Sequence, residues 1–358
     1  MTPQRSRQQR RAEFQPAHLL WKLYRPEAAP YRFRARTTAE ARRWQARTRQ
    51  ALGRLLGFQD TPRVPLQPQV VARVDKGEYT REKILLRTSP HSLMPVYLLK
   101  PKAARAPLPV VLAFHGHGYG VRDIVGLWED GSERDVPDGY HRDFAVALCR
   151  RGFLVAAPEI ICFGERQTDF SHLTRQGSPV PTSCAHAAML AFHLGRSIVG
   201  LRVWEGKCLV DYLATRRDAD IARLGAMGIS GGGMHTFFST CLDTRIRACV
   251  VSGYYSTFRG SILAMHHCPC NFVPGLHQFG EMYDLVGLIA PRPMLVESGS
   301  RDTIFPRAAV EEGMARGREV YAVFGARGNL QADYFEGRHA ISGAKAYDFL
   351  AAALEVGR

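Results

Sequence analysis

The run Gly228-Ile229-Ser230-Gly231-Gly232 sets a small hydroxyl between glycines two positions before and two after it. A serine at the apex of a sharp strand-to-helix turn needs small neighbours at those two places. Strand and helix approach closely there, and the apex backbone is strained. The chemistry would be attack of the Ser230 hydroxyl on a carbonyl carbon, with an oxyanion forming beside it. A helix beginning after Ser230 would turn its free N–H groups and the positive end of its dipole toward that oxyanion. A serine hydroxyl is a poor nucleophile at neutral pH. It needs an adjacent base, and the base needs an orienting carboxylate.

Both partners follow in the chain, in the order serine, acid, histidine that an α/β sheet of this kind uses. Residues 293–297 read as a strand, and the turn Ser298-Gly299-Ser300-Arg301-Asp302 puts Asp302 just past its carboxyl end. Glu297 is the rival acid, but it lies nearer the strand and should point elsewhere. Gly337-Arg338-His339-Ala340 follows the last expected strand and precedes the closing helix, so His339 sits on a loop where the base belongs. His115, His117, His235 and His277 precede the acid and fit that order less well. His115-Gly116-His117-Gly118 directly follows the strand ending at Phe114. The backbone N–H of His117, paired with that of Gly231, would hold the oxyanion. Loss of one such donor typically costs on the order of 3 kcal/mol in the barrier.

The elements that must hold these residues can be read along the chain. Residues 1–15 are polar and basic and are expected to be disordered. Thr37 and Glu40 have capping-box spacing and open a helix, with Trp44, Ala51, Leu52, Leu55 and Leu56 roughly on one face and arginines on the other. Residues 70–74, 82–88 and 94–99 read as an antiparallel meander at one edge of a sheet. Apolar runs at 107–114, 153–157, 224–227, 246–251 and 293–297 read as buried parallel strands, with a last strand at 320–324. Helices are expected at 144–150, 196–216, 234–242 and 342–354. That of 196–216 is read as amphipathic, with Ile198, Trp204, Leu209 and Leu213 among its apolar residues. This alternation implies a mostly parallel sheet covered on both faces, in one domain at 61–358 with an N-terminal extension at 1–60. The extension is expected to pack on the domain or over the site. Segments 118–140, 164–195 and 253–285 are too long for plain connectors and should build the substrate site at the strands' carboxyl ends.

A composition of 46% hydrophobic and 23% charged residues over 358 positions is that of an ordinary globular chain. The net charge of +15 comes mostly from arginine, much of it near the start, from Arg5, Arg7, Arg10 and Arg11 to Arg49 and Arg54. No stacking aromatics or recognition-helix pattern accompany it, so it reads as a solvated tail and helix face rather than a nucleic-acid footprint. No stretch is long and apolar enough to span a bilayer, and the basic start does not lead into an apolar core, so the default expectation is cytoplasmic. Eight cysteines in a chain this long are not a disulfide framework. Cys149, Cys162, Cys208 and Cys249 lie in apolar runs and read as small buried residues. His266-His267-Cys268-Pro269-Cys270 packs four metal-ligating side chains together, but not at the usual zinc spacing. It reads as an insert loop without metal. The following 271–284 segment is expected to line the pocket, with Glu281 or His277 against substrate.

Five phrases together resemble a family: Phe114-His115-Gly116-His117-Gly118, Gly228-Ile229-Ser230-Gly231-Gly232, Ala290-Pro291-Arg292-Pro293, Arg301-Asp302 and Gly337-Arg338-His339. The chain from about residue 70 onward resembles the α/β-hydrolases of the dienelactone-hydrolase and acetyl-xylan-esterase-like group. The resemblance implies an α/β-hydrolase fold with an antiparallel N-terminal edge, and hydrolysis of small-molecule esters through an acyl-serine, with no cofactor and no metal. Dienelactone hydrolases proper carry cysteine at the elbow; Ser230 brings this chain nearer the serine esterases. The basic extension has no place in that minimal pattern. Two other readings stand beside it: a peptidase or amidase of the same architecture, and a weakly catalytic scaffold binding an anionic partner through its basic N-terminus.

Overall fold

The computed structural model describes residues 14–105 and 107–356. The stretch expected to be disordered lies outside them up to residue 13. In chain order the elements are α1 (Pro16–Leu23), α2 (Thr38–Leu55), β1 (Gln69–Asp75), β2 (Tyr79–Ser89), β3 (Ser92–Pro101), β4 (Leu108–Phe114), α3 (Phe144–Arg150) and β5 (Leu154–Pro158). There follow α4 (Ser171–Arg175), α5 (Ser183–His193), α6 (Ile198–Leu213), β6 (Ala219–Ile229), α7 (Gly231–Leu242) and β7 (Ile246–Ser252). The chain ends with α8 (Met282–Leu285), β8 (Met294–Gly299), α9 (Arg307–Val323), β9 (Leu330–Phe335) and α10 (Ala346–Ala353).

The strands form one nine-stranded sheet in the order β1-β2-β3-β5-β4-β6-β7-β8-β9. The first three are the expected antiparallel meander, and β3 also pairs antiparallel with β5. From β5 to β9 every pairing is parallel. Strands buried on both faces read as continuous apolar runs, and all seven residues of β4 are buried. Two apolar layers result, one on each face of the sheet.

The register is what positions chemistry. Phe114 pairs with Gly228, Ile229 with Ser252, Ser252 with Glu297, and Gly299 with Phe335. The carboxyl ends of β4, β6, β7, β8 and β9 therefore form one ledge, and the loops after them emerge side by side.

Three expectations need correction. Residues 320–324 are not the last strand: they close α9, in which Ala309, Val310, Gly313, Met314, Gly317, Val320 and Tyr321 are buried at helical spacing. The local β-propensity of Val-Tyr-Ala-Val-Phe yields to a period already set. The last strand is β9, at the sheet's edge. The closing helix begins at Ala346 instead of 342: Gly343 is held at φ +71°, outside the right-handed helical region, and its N–H and that of Ser342 donate to the Glu297 carboxyl. Helix α6 is not one-sided: Arg202 and Glu205 are buried with its apolar residues.

Helix α2 forms with the expected capping box, Glu40 N–H to Thr37 Oγ1 at 3.3 Å and Thr37 N–H to Glu40 Oε2 at 3.3 Å. Trp44 and Leu52 enter the main core beside the sheet. Helix α2 does not cover the carboxyl-end ledge; it braces the far end of α7. Arg49 donates to the carbonyls of Cys241 and Leu288, and Arg292 to those of Thr240, Asp243 and Ile246. Two guanidinium groups thus satisfy the last carbonyls of α7 and complement its negative dipole end. Among the described residues no single helix is long and apolar enough to cross a membrane.

Candidate functional site

Ser230 sits between β6 and α7 with φ 57° and ψ −121°, a backbone region that non-glycine residues rarely hold. Its N–H donates to Ser252 O of the neighbouring strand at 3.0 Å. The flanking glycines are required sterically. A Cβ on Gly228 would lie 2.7 Å from Phe114 O, and one on Gly232 would overlap that same carbonyl.

Asp302 and His339 come together across the ledge. His339 Nδ1 lies 2.7 Å from Asp302 Oδ2. The other oxygen, Oδ1, accepts the N–H groups of Ile304 and Phe305 at 3.0 Å each. Burial pushes the Asp302 carboxyl up. The His339 bond and charge and the two backbone donors outweigh it, so the group titrates below the ordinary carboxylate range. The imidazole stacks on Phe305 with centroids 5.8 Å apart and faces Tyr140 at 5.5 Å. Gly253, at φ +49°, passes directly under the ring: a Cβ there would be 2.6 Å from His339 Cε1. His339 Nε2 is buried with no protein partner among the described residues.

The rival Glu297 indeed turns away. Its oxygens accept from Ser342 N–H at 3.3 Å and Gly343 N–H at 2.8 Å. Burial raises its carboxyl to about 7. Its work is to pin the segment just past His339.

The 115–118 loop is held from several directions. His115 Nδ1 bonds Gly116 O at 2.8 Å, Gly116 N–H donates to His141 Nε2 at 2.8 Å, and Tyr140 Oη donates to His117 O at 2.5 Å. His141 Nδ1 lies 2.9 Å from Asp123 Oδ2, in the first long insertion. Burial lowers the His141 pKa, opposed by Asp123. A Cβ on Gly231 would lie 3.2 Å from His117 Nδ1, so the 115–118 loop and the start of α7 are in contact. Tyr140, His141 and Asp123 carry no local signal of this role in the sequence; only the fold returns them to the loop.

The other histidines serve elsewhere. His235 is stacked on Phe114 at 3.7 Å, and burial holds its pKa well below the usual value. His277 lies in a separate small cavity of about 200 Å³ with Tyr24 and Phe272, far along the third insertion. Glu281 does not face a substrate site: its buried carboxylate accepts from Tyr24 Oη at 2.7 Å and from the N–H groups of Phe258 and Arg259. The 271–284 segment packs on the N-terminal extension, with Tyr31 stacked on Phe279 at 4.9 Å. The open groove beside the 115–118 loop, about 850 Å³, is instead lined by His117 and Phe163 together with Gln167 and Phe170 of the second insertion and His266 of the third.

One set of side chains could hold a metal ion. The ligand atoms of His117, Cys184, Cys268 and Cys270 all lie within 4.8 Å of one another. His267, in contrast, bonds Ser261 Oγ at 3.1 Å.

A mostly parallel sheet with an elbow after a central strand, an Asp–His pair from later loops and a His-Gly loop beside the elbow defines the α/β-hydrolase class. The chain belongs to the Abhydrolase family, whose model matches residues 2–316 and so takes in the N-terminal extension as well as the sheet. It is 27% identical over 290 residues to YtaP of Bacillus subtilis (strain 168), a protein named as a hydrolase, across 79% of this chain and 89% of that one. Its fold is similar to a structure described as an acetyl xylan esterase from Bacteroides fragilis, with TM-score 0.75 and 18% identity over 90% of this chain and 82% of that one. It is also similar to a glucuronoyl esterase from Solibacter usitatus, with TM-score 0.61 and 16% identity over 87% and 93% of the two chains.

Proposed function

We propose that the protein is a serine esterase that hydrolyses carboxylic esters through an acyl-enzyme, with short acyl or sugar-acetyl esters favoured. The observation that carries this reading is the 2.7 Å His339–Asp302 bond beside a strained Ser230 on the same ledge. Asp302 fixes the imidazole with its proton on Nδ1, which leaves Nε2 as the acceptor. Ser230 Oγ attacks the ester carbonyl as Nε2 takes its proton; the oxyanion is held by the N–H groups of His117 and Gly231. Collapse expels the alcohol, which leaves with the proton from Nε2. Water then attacks the acyl group, with Nε2 again taking the proton, and the acid departs as Ser230 is restored. All of these groups belong to this chain. The acetyl xylan and glucuronoyl esterases among the similar folds support ester hydrolysis with a sugar in the substrate, the acetyl xylan esterase supports a sugar-acetyl ester, and the hydrolase named above supports hydrolysis. The open groove of about 850 Å³ reaches the 115–118 loop at His117, which gives room for a sugar-sized group next to the proposed oxyanion donor.

Fluorophosphonate labelling tests the assignment. The label is expected on Ser230 and absent in Ser230→Ala; labelling that persists in the variant overturns it. p-Nitrophenyl acetate turnover should collapse in His339→Ala, and equal turnover in the two proteins would mark background reactivity.

A further inference from the structure

The four converging ligand atoms come from three separate parts of the chain. His117 belongs to the loop after β4, Cys184 to the second position of α5, and Cys268 and Cys270 to the third long insertion. Sequence spacing could not bring them together, since Cys-x-Cys is only half of the set and its adjacent histidines are not part of it. Three thiols and one imidazole are a ligand set that structural zinc sites use, with Zn–S near 2.3 Å and Zn–N near 2.0–2.1 Å in a tetrahedron. Those lengths imply an S···N edge of roughly 3.6 Å. His117 Nε2 and Cys270 Sγ are 3.6 Å apart.

Charge supplies a second, independent observation. Arg202, on α6, is fully buried. Its Nη1 reaches Cys270 Sγ at 3.7 Å, and its Nη2 reaches Cys184 Sγ at 3.6 Å and Ile161 O at 3.5 Å; its Nε has no partner among the described residues. The nearby buried carboxylate that could have paired with it, Glu205, is engaged by Arg166 through both oxygens. A guanidinium is always charged, and an unpaired buried charge costs several kcal/mol. Three thiolates, a neutral imidazole and a divalent zinc sum to one negative charge, which Arg202 balances.

We propose that His117, Cys184, Cys268 and Cys270 form a closed tetrahedral zinc site. All four positions come from protein, so the ion is structural rather than a bearer of bound water. It ties the loop carrying the His117 N–H to the two insertions that wall the groove, and in that loop Gly116 lies against the elbow, where an added Cβ would be 3.1 Å from Ser230 Cβ. Cys162 borders Cys184 and Arg202 at the rim of this set.

The test is metal content, a readout independent of whether the protein cleaves esters. Full-length protein purified without a polyhistidine tag should contain about one zinc per chain by elemental analysis. Cys184→Ser and Cys268→Ser should each lower that to about a tenth or less, whereas Cys208→Ser, whose thiol lies at Thr88 O outside the set, should retain it. Should the serine variants fail to fold, cobalt(II) added to reduced, metal-stripped wild type decides. Intense tetrahedral d–d bands with thiolate-to-cobalt charge transfer are expected. Zinc retained in both serine variants overturns the site. So does reduced wild type that takes up neither zinc nor cobalt.

Discussion

Replacing Asp302 by asparagine separates two jobs that one carboxylate performs. Oδ2 faces His339 Nδ1 at 2.7 Å, and Oδ1 accepts two backbone N–H groups at 3.0 Å each. Asparagine keeps a single acceptor oxygen, and two donors at the turn hold it there. The NH₂ group then faces Nδ1, which must become an acceptor, so the imidazole proton moves to Nε2. In that tautomer His339 cannot take the Ser230 proton. By analogy with the same exchange in an enzyme with a Ser-His-Asp triad, kcat is expected to fall by about 10³–10⁴, or roughly 4–5.5 kcal/mol in the barrier. Stability should fall by only about 1–3 kcal/mol, the worth of a charge-assisted bond. Asp302→Ala should match the asparagine variant in kcat and be less stable by a further ~1–3 kcal/mol, because it also orphans the N–H groups of Ile304 and Phe305. The pH profile gives a third reading. Because the Asp302 pKa is depressed in the fold, its contribution is present above the ordinary carboxylate range and is lost as pH falls through the lower folded value. Asp302→Asn should abolish that acid-side loss. Steady-state p-nitrophenyl acetate hydrolysis, the rate of fluorophosphonate labelling and thermal melts supply the data. A D302N kcat within about tenfold of wild type, or wild-type labelling rates, would refute the tautomer argument.

Three more outcomes follow from geometry. Gly253→Ala puts a methyl 2.6 Å from His339 Cε1 at a positive φ, so the ring must shift; kcat should drop about 100-fold with KM little changed, and an unaltered kcat would show the ring is free to move. Glu297 has a folded pKa raised to about 7 from an ordinary 4.5, so its contribution is full below the unfolded value and is lost as pH rises through the folded one. The loss is on the order of 3 kcal/mol between about pH 4.5 and 7, and Glu297→Gln should flatten that slope in urea melts; an unchanged slope refutes it. Arg49→Ala strips the Cys241 carbonyl of its side-chain donor at the far end of α7, leaves Leu288 O to Arg292 alone and should cost about 1–3 kcal/mol, read as a lowered Tm, while Ser230 remains labelled; an unmoved Tm would deny the brace.

Much of the candidate site's geometry was legible because its constraints are local. Glycines around Ser230 answer a steric need within five residues, and Asp302 and His339 each follow a strand end or its near neighbourhood. Residues 320–324 misled because a β-rich composition overlay a helical period that began ten residues earlier, at Ala309 and Val310. The strand Leu330–Phe335 hid because an edge strand is half exposed and carries Gln331 and Asp333. The supports of the 115–118 loop were illegible for another reason. Tyr140 ends the first insertion and His141 follows it, and nothing there signals that the chain folds back on Gly116 and His117. Cys184 joins Cys268 and Cys270 across more than eighty residues, a distance at which spacing rules are silent. Glu281 was misplaced because a glutamate in an insertion reads as exposed until its backbone partners are known.

The strand order has a consequence for how the molecule would come apart. Ser230 and His117 hang from β6 and β4, each paired on both sides, whereas His339 follows β9, which is paired on one side only. Releasing β9 breaks one ladder; releasing β4 or β6 breaks two. Among the strands that carry the candidate site, local opening therefore begins at the histidine's edge and reaches the serine last. Amide exchange at 330–335 should outpace that at 224–229. The grip of Glu297 on Ser342 and Gly343 is the latch that slows that first departure. Mild warming would then yield molecules with an intact elbow and a displaced His339, inactive under the proposed mechanism yet still folded around Ser230.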